Sequence, residues 1–537
     1  MSYRGRPSKG CQMCRSRKVK CDETKPTCKR CAKADHECKY RDDADLYFRN
    51  ETAVAAQRAE EGWRKRSTKQ LKSSQSSQSP PSDSDSLSTT NPNAQHRTLS
   101  REIKPDLHQL AWQRFCFDFV IPNLSTDARS VATGVLEFLP SMYEKCSPES
   151  PLWAAVAAVS YANFDGRFKS PEARLLGSEF CGRALRLIQT AIGDPLQARS
   201  DETLLSVYLL GIWENLTAPE YNGSWIAHKS GSVALLRLRE PYMSSTTISA
   251  RLFDLVYIQM LIGNFQSNEE PPLSLETWVD MVHTANPGNP NLLAPVIRLM
   301  KLIHSAVSTL AQRKRMIPFI GNSNGTIAAV ELLKESRALD SQFQLWEDNV
   351  PETWRFRVLQ NHPSLHGTFD PKWVKLILDH EGAPSFVHMY PTLKKAFAWN
   401  FYRTARLFLN RVMYELIDGL ASSPCSDTVW ASSVELLDRT HIEFQLARLT
   451  EEICASVISH FTVNIANKPN SNSVDDVCAM RGYTLIWPLA VVKTLRAGMI
   501  NGIEPISRRK WIDNILEFLR DELGIAKAGA AIRAKFH

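Results

Sequence analysis

This sequence predicts a mainly α protein in three parts: a small cysteine-rich cluster domain, a disordered linker and a large all-α body. Three observations predict it. Six of the twelve cysteines crowd into residues 11–38 of a 537-residue chain. Residues 73–100 hold ten serines, two adjacent prolines and no Phe, Trp or Tyr. From about residue 101 onward, apolar residues recur at spacings of three and four, the period of a helix with a buried face.

The formal net charge of +8 is concentrated at the front. Residues 1–72 carry 20 Lys and Arg against 10 Asp and Glu, while the remainder carries 45 against 47. That is the footprint of a nucleic-acid-binding arm joined to a near-neutral body. Residues 1–10 form a basic arm. Its Arg4-Gly5-Arg6-Pro7 resembles the core of an AT-hook, whose arginines lie along a narrow minor groove; a plain basic tail explains the same four residues.

Residues 11–41 are read as the cluster domain. The spacing is Cys-x2-Cys-x6-Cys-x6-Cys-x2-Cys-x6-Cys, one pattern stated twice. Such a cluster means either disulfides or metal. Disulfides need an oxidising compartment, and residues 1–10 have no apolar core of the kind a secretory signal carries. Metal is the better reading, and thiolates in tetrahedral sets suit zinc. One zinc would leave two thiolates idle. Two zincs need eight ligand positions from six sulfurs, so two cysteines must bridge. Each Cys-x2-Cys is expected to open a short helix, because a spacing of three puts both sulfurs on one face.

This pattern resembles the fungal Zn2Cys6 binuclear cluster of DNA-binding regulators. The resemblance implies two Zn2+ ions, with Cys11 and Cys28 as the bridges. One ion would take Cys11, Cys14, Cys21 and Cys28, the other Cys11, Cys28, Cys31 and Cys38. It also implies double-stranded DNA as partner, with CGG triplets read in the major groove and a nuclear location. Four basic residues lie between Cys14 and Cys21, against one between Cys31 and Cys38. The first half is therefore expected to face the phosphates. Lys18 matches the family's triplet-reading lysine, and Arg17 stands beside it; Arg and Lys suit guanine O6 and N7. Lys9, Arg15 and Lys20 are the expected phosphate contacts. Pro26 matches a proline that shapes the loop between the halves.

Residues 42–72 favour helix and are basic. A coiled coil here would pair two copies, but Leu46, Phe48, Val54 and Trp63 do not keep a 3.5-residue period, so this segment does not specify a homodimer by itself. Arg64-Lys65-Arg66 suits a nuclear-import signal. Residues 73–104 form the linker, too polar to bury a core.

The body, residues 105–537, is expected to be helix after helix. Residues 204–216 and 251–265 are apolar nearly all round, as buried helices are. Residues 391–418 contain a long amphipathic helix. Trp511, Ile515, Leu519 and Leu523 form a stripe that Gly524 is placed to end. Loops are expected at 286–295, 363–371, 422–427 and 467–476. No run of 18 uncharged apolar residues suggests a membrane partner.

Trp225-Ile226-Ala227-His228, Gly231 and residues 234–239, with Trp399 to Arg403, Arg406 and Leu407, resemble the fungal-specific transcription factor domain. That resemblance implies a regulatory body that meets transcription machinery or co-regulators, or a small apolar molecule that gates DNA binding. Core packing explains Trp225 and His228 more simply. An internal cavity would favour the ligand reading.

Enzyme chemistry is not expected. Gly321-Asn322-Ser323-Asn324-Gly325 satisfies G-x-S-x-G, but Pro318 interrupts any preceding strand and a helix-capping loop explains it. There is no phosphate-binding loop of either common type and no H-E-x-x-H. Cys116, Cys146, Cys181, Cys425, Cys454 and Cys478 are scattered and read as buried thiols.

Overall fold

The computed structural model describes residues 11–38 other than 18, 25, 35 and 37. It further describes residues 106–534 other than 122–133, 219–223, 240–245, 287–289, 317–322, 422–438, 463–476 and 495–505. The arm with Lys9 and Arg4 to Pro7, residue Lys18, the segment 42–72, the linker, Cys425 and the expected loops at 422–427 and 467–476 lie outside the described residues. The chain divides into two units, Met1–Arg101 and Glu102–His537.

The described residues of the first unit form two short helices, α1 (Gln12–Ser16) and α2 (Lys29–Lys33). Among them the buried core is Cys11, Cys14, Cys28 and Cys31.

The second unit is helical, as expected. Its first layer comprises α3 (Leu107–Phe119), α4 (Leu139–Lys145), α5 (Pro151–Phe168), α6 (Pro171–Ile192) and α7 (Asp201–Thr217). Helices α5 and α7 carry the most apolar sequences and are buried nearly all round. Serines start α5, α6 and α7: Ser150, Ser170 and Ser200 each accept the backbone N–H three residues on, satisfying a donor the helix cannot. Pro151 and Pro171 follow two of these caps, where proline's missing N–H costs nothing.

Next come α8 (Ser224–Arg239), α9 (Thr247–Ser267), α10 (Leu275–Ala285), α11 (Pro290–Met316) and α12 (Ser323–Asn349). Then follow α13 (Leu393–Ala421), α14 (Arg439–Thr462), α15 (Ala479–Thr494), α16 (Ile506–Asp521) and α17 (Lys527–Arg533). Trp511, Ile515, Leu519 and Leu523 are all fully buried. Gly524 ends this run with φ of +72°. A Cβ there would stand 2.5 Å from the backbone of Gly166, so glycine is required both for its dihedral and for the approach of two chains.

Three differences from the sequence reading have physical causes. Helix α11 begins at Pro290, inside the expected loop at 286–295. Pro290 occupies the first position, where proline is tolerated, and Pro295 is accepted inside the helix while Trp346 Nε1 donates to its carbonyl at 2.8 Å. Second, β1 (Arg357–Gln360) pairs antiparallel with β2 (Phe386–Met389), Val358 facing His388. Each strand has four residues, too few for a periodic signal. Third, Cys116 and Cys146 are only half-buried, while Cys181, Cys454 and Cys478 are buried. Helix α11 contains a stretch, Leu293–Met316, long and apolar enough by composition to span a membrane. Here it is a core helix, with Ile303, Ala306 and Val307 fully buried.

The C-terminal helices belong to the same body as the N-terminal ones. Asp118 on α3 is fully buried and receives Arg114 at 2.6 Å, Arg167 at 2.5 Å, Asn163 at 3.0 Å and the backbone N–H of Ala479 at 2.9 Å. Arg167 also donates to the carbonyls of Val477 and Glu522. A charge so enclosed is tolerable only because every lone pair is used.

Candidate metal centre and nucleic-acid interface

The cluster is built from a repeated backbone pattern. Cys14 N–H donates to Cys11 Sγ at 3.4 Å, and Cys31 N–H donates to Cys28 Sγ at 3.3 Å. Val19 N–H reaches the Cys14 carbonyl and His36 N–H the Cys31 carbonyl, both at 3.0 Å. The sequence repeat is thus a structural repeat, each half a turn of helix opened by a cysteine. Two further N–H groups, of Glu23 and Cys28, point at Cys21 Sγ and Cys38 Sγ. Donors aimed at sulfur favour its anionic, metal-binding form. Accordingly, the N–H of Cys31 holds the Cys28 thiol below the usual range, and that of Cys14 does the same for Cys11 against its burial.

Two sulfur quartets emerge. Cys11, Cys14, Cys21 and Cys28 form one, and Cys11, Cys28, Cys31 and Cys38 the other, with all sulfurs in each within 4.8 Å of one another. Cys11 and Cys28 are common to both. The sulfur–sulfur separations are 3.8 Å for Cys11–Cys28 and 3.7 Å for Cys11–Cys31 and Cys14–Cys28. A tetrahedron with zinc–sulfur bonds of about 2.3 Å has edges of about 3.8 Å. A disulfide would need about 2.05 Å, and the cysteines among the described residues are all free. The residues therefore fit a pair of zinc ions.

Of the expected DNA contacts, Arg17 and Lys20 are exposed. Arg15 lies in α1 without a described side chain, and Lys18 and Lys9 lie outside the described residues. Helix α1 ends at Ser16, with Arg17 N–H still bonded to Met13 O at 3.1 Å. The second expected helix, α2, carries charge that the sequence reading did not count. Lys29, Arg30 and Lys33 are exposed around the buried Cys31, so the second half is more cationic than its Cys31–Cys38 interval suggested. Lys29 and Arg30 sit between Cys28 and Cys31, outside both counted intervals. Asp22 was also missed; its carboxylate accepts from Thr24 Oγ1 at 2.6 Å and Lys29 N–H at 3.1 Å, and both bonds hold its pKa down.

In the body, the residues expected to match a family helix are core. Arg403 is fully buried, donating to Glu452 at 2.9 Å and to Tyr390 Oη at 2.6 Å. Arg406 grips Asp340 with two bonds, at 2.7 and 2.9 Å. Trp399 donates to the Trp354 carbonyl at 2.9 Å, and His228 is half-buried. Trp225 lies in α8 without a described side chain, and Ser323 opens α12 likewise. Helix α11 runs to Met316, and residues 317–322, where the strand preceding a nucleophile elbow would lie, are outside the described residues. Between α9, α10, α11 and α13 lies a cavity with largely apolar walls, including Trp278, Val296, Met300 and Phe401, and with Arg251, Asp254 and Lys394 also lining it.

Comparison with known proteins agrees with this geometry. Residues 9–46 match the family model of the fungal Zn(2)-Cys(6) binuclear cluster domain. Residues 106–441 match that of the fungal specific transcription factor domain. Transcription activator AMTR1 of Alternaria alternata is 66% identical over 29 residues, 5% of this chain and 4% of its own. Transcription factor lfc1 of Flammulina velutipes is 54% identical over 37 residues, 7% of this chain and 13% of its own. The chain therefore spans only a small part of either relative. No solved structure matches. Both matched domains are transcription-factor domains and not enzymes, and the cluster domain binds two zinc ions.

Proposed function

This chain belongs to the fungal specific transcription factor domain family, and from that premise we propose that it is a nuclear regulator of RNA polymerase II genes which reads CGG-type sites. The observation that carries this reading is the pair of sulfur quartets sharing Cys11 and Cys28. One zinc is held by Cys11, Cys14, Cys21 and Cys28, the other by Cys11, Cys28, Cys31 and Cys38. The ions supply rigidity to a module whose buried core, among the described residues, is made of cysteines. Lys18 and Arg17 read guanine edges beyond the end of α1; Lys9, Arg15 and Lys20 neutralise phosphates. The body meets transcription machinery or co-regulators.

Selection of preferred sites from random duplex DNA with the zinc-loaded full chain tests this. CGG should be enriched, and a paired or single motif reports whether two copies bind. Lys18→Ala should erase the ranking of CGG over scrambled triplets. Lys20→Ala should weaken all sites alike and reduce the salt slope by about 1. An unchanged ranking with Lys18→Ala would refute the recognition assignment.

A second reading is favoured by the cavity between α9, α10, α11 and α13. In it the body is a sensor, a small molecule is the input and DNA binding or activation is the output.

A further inference from the structure

We propose that two copies of this chain associate through β1, edge to edge and antiparallel, about a two-fold axis at Leu359. The backbone dictates the edge. Asn361 N–H donates to the Ser385 carbonyl at 2.9 Å, continuing the register that pairs Leu359 with Val387 and Arg357 with Met389. Antiparallel bonds fall on alternate residues, so Arg357 and Leu359 turn their N–H and C=O groups toward β2. Those of Val358 and Gln360 turn away from it. Among the described residues no third strand lies beside β1, and no hydrogen bond is made to these four outward groups.

The side chains leave that edge unguarded. Sheet edges are ordinarily blunted by lysines, a proline, a bulge or a covering element. Here Val358 is 55% exposed, and Phe386, diagonal to it on the same face, is 47% exposed. Gln360, opposite Phe386, is exposed and uncharged. A second copy complements this edge group for group. With the axis at Leu359, Val358 of one copy lies opposite Gln360 of the other. The two outward donors and two outward acceptors of each β1 then make four hydrogen bonds with none left over. Arg357, the one charged residue of β1, faces Asn361 of the other copy, so no like charges meet. Two strands are marginal by themselves in water; pairing gives a sheet of four, β2–β1–β1–β2. The contact is isologous and therefore closes at two copies. It lies on the body, apart from the segment 42–72 that keeps no coiled-coil period.

The test is sedimentation velocity of the zinc-loaded full chain from about 1 to 100 μM, the range in which so small an interface should assemble. The wild type should shift from monomer to dimer as concentration rises. Val358→Lys with Gln360→Lys sets like charges opposite each other across the axis and should leave monomer throughout. Val358→Lys with Gln360→Glu sets opposite charges in the same places and should keep the dimer. Gln360→Pro deletes an outward N–H and no ladder bond; it removes two of the four bonds and should weaken association by about tenfold or more. All these side chains are exposed, and circular dichroism melts with zinc counts verify that each variant folds. A wild type that stays monomeric up to about 100 μM overturns the proposal. So does a dimer that persists in the folded variant with two lysines. Loss of the dimer with the Lys and Glu pair overturns the register at Leu359. Site selection on DNA is a separate measurement, so failure here leaves CGG recognition untouched.

Discussion

Replacing Cys28 with serine should empty both metal sites, whereas replacing Cys38 should empty one. Cys28 Sγ lies 3.8 Å from Cys11 Sγ and 3.7 Å from Cys14 Sγ and belongs to both quartets. Cys38 belongs to one alone, and without it Cys11, Cys14, Cys21 and Cys28 still make a complete set. A structural zinc in a small module contributes roughly 10–16 kcal/mol of apparent folding free energy. Among the described residues of the module, the buried core is Cys11, Cys14, Cys28 and Cys31, with Met13 packed against it, so little apolar packing offsets that loss. Cys28→Ser should leave residues 11–38 unfolded and DNA binding lost, and Cys38→Ser should keep one ion and a partly ordered first half. Native mass spectrometry of the zinc-loaded full chain counts the ions. Equal counts in the two variants would refute the shared-sulfur reasoning.

Further outcomes concern the body. Asp340→Ala leaves Nε and Nη2 of the buried Arg406 without the acceptor that grips both, while Glu347 still balances the charge, and should cost about 1–3 kcal/mol by chemical denaturation. Gly524→Ala forces a Cβ into a left-handed residue and against Gly166; a loss of more than about 1 kcal/mol is expected, read as a lowered Tm with unchanged zinc content. Burial pushes His460 down to about 4 from 6.5. Between those values the unfolded chain carries the additional proton, so stability is complete above pH 6.5 and falls as pH drops, by about 3 kcal/mol at pH 4. His460→Gln should flatten that slope in urea titrations run at several pH values; an unchanged slope would show that this ring is not the cause.

The structure departs most from the sequence reading where short-range patterns carry no information. The hairpin of β1 and β2 rests on four-residue strands separated by 25 residues, below the length at which alternation can be read. Helix α11 was hidden because Pro290 and Pro295 look like a loop, and the contact that anchors this stretch, Trp346 Nε1 on the Pro295 carbonyl, comes from 51 residues away. Lys29 and Arg30 were passed over because charge was counted only in the six-residue intervals, whereas exposure follows the helix turn that Cys28 opens.

What the sequence determined alone was the cluster and the helical class of the body. Metal ligation depends on residue type and close spacing, and six thiols at repeated intervals permit one economical count of ions. The buried helices also announced themselves, because apolar periodicity is a local property. Tertiary structure decided the rest: that Asp118 would hold Ala479, that Gly166 would meet Gly524, and that Arg251, Asp254 and Lys394 would share one cavity with Trp278. Those residues lie on separate helices. Their meeting is set by how whole helices pack, and no window of sequence contains it.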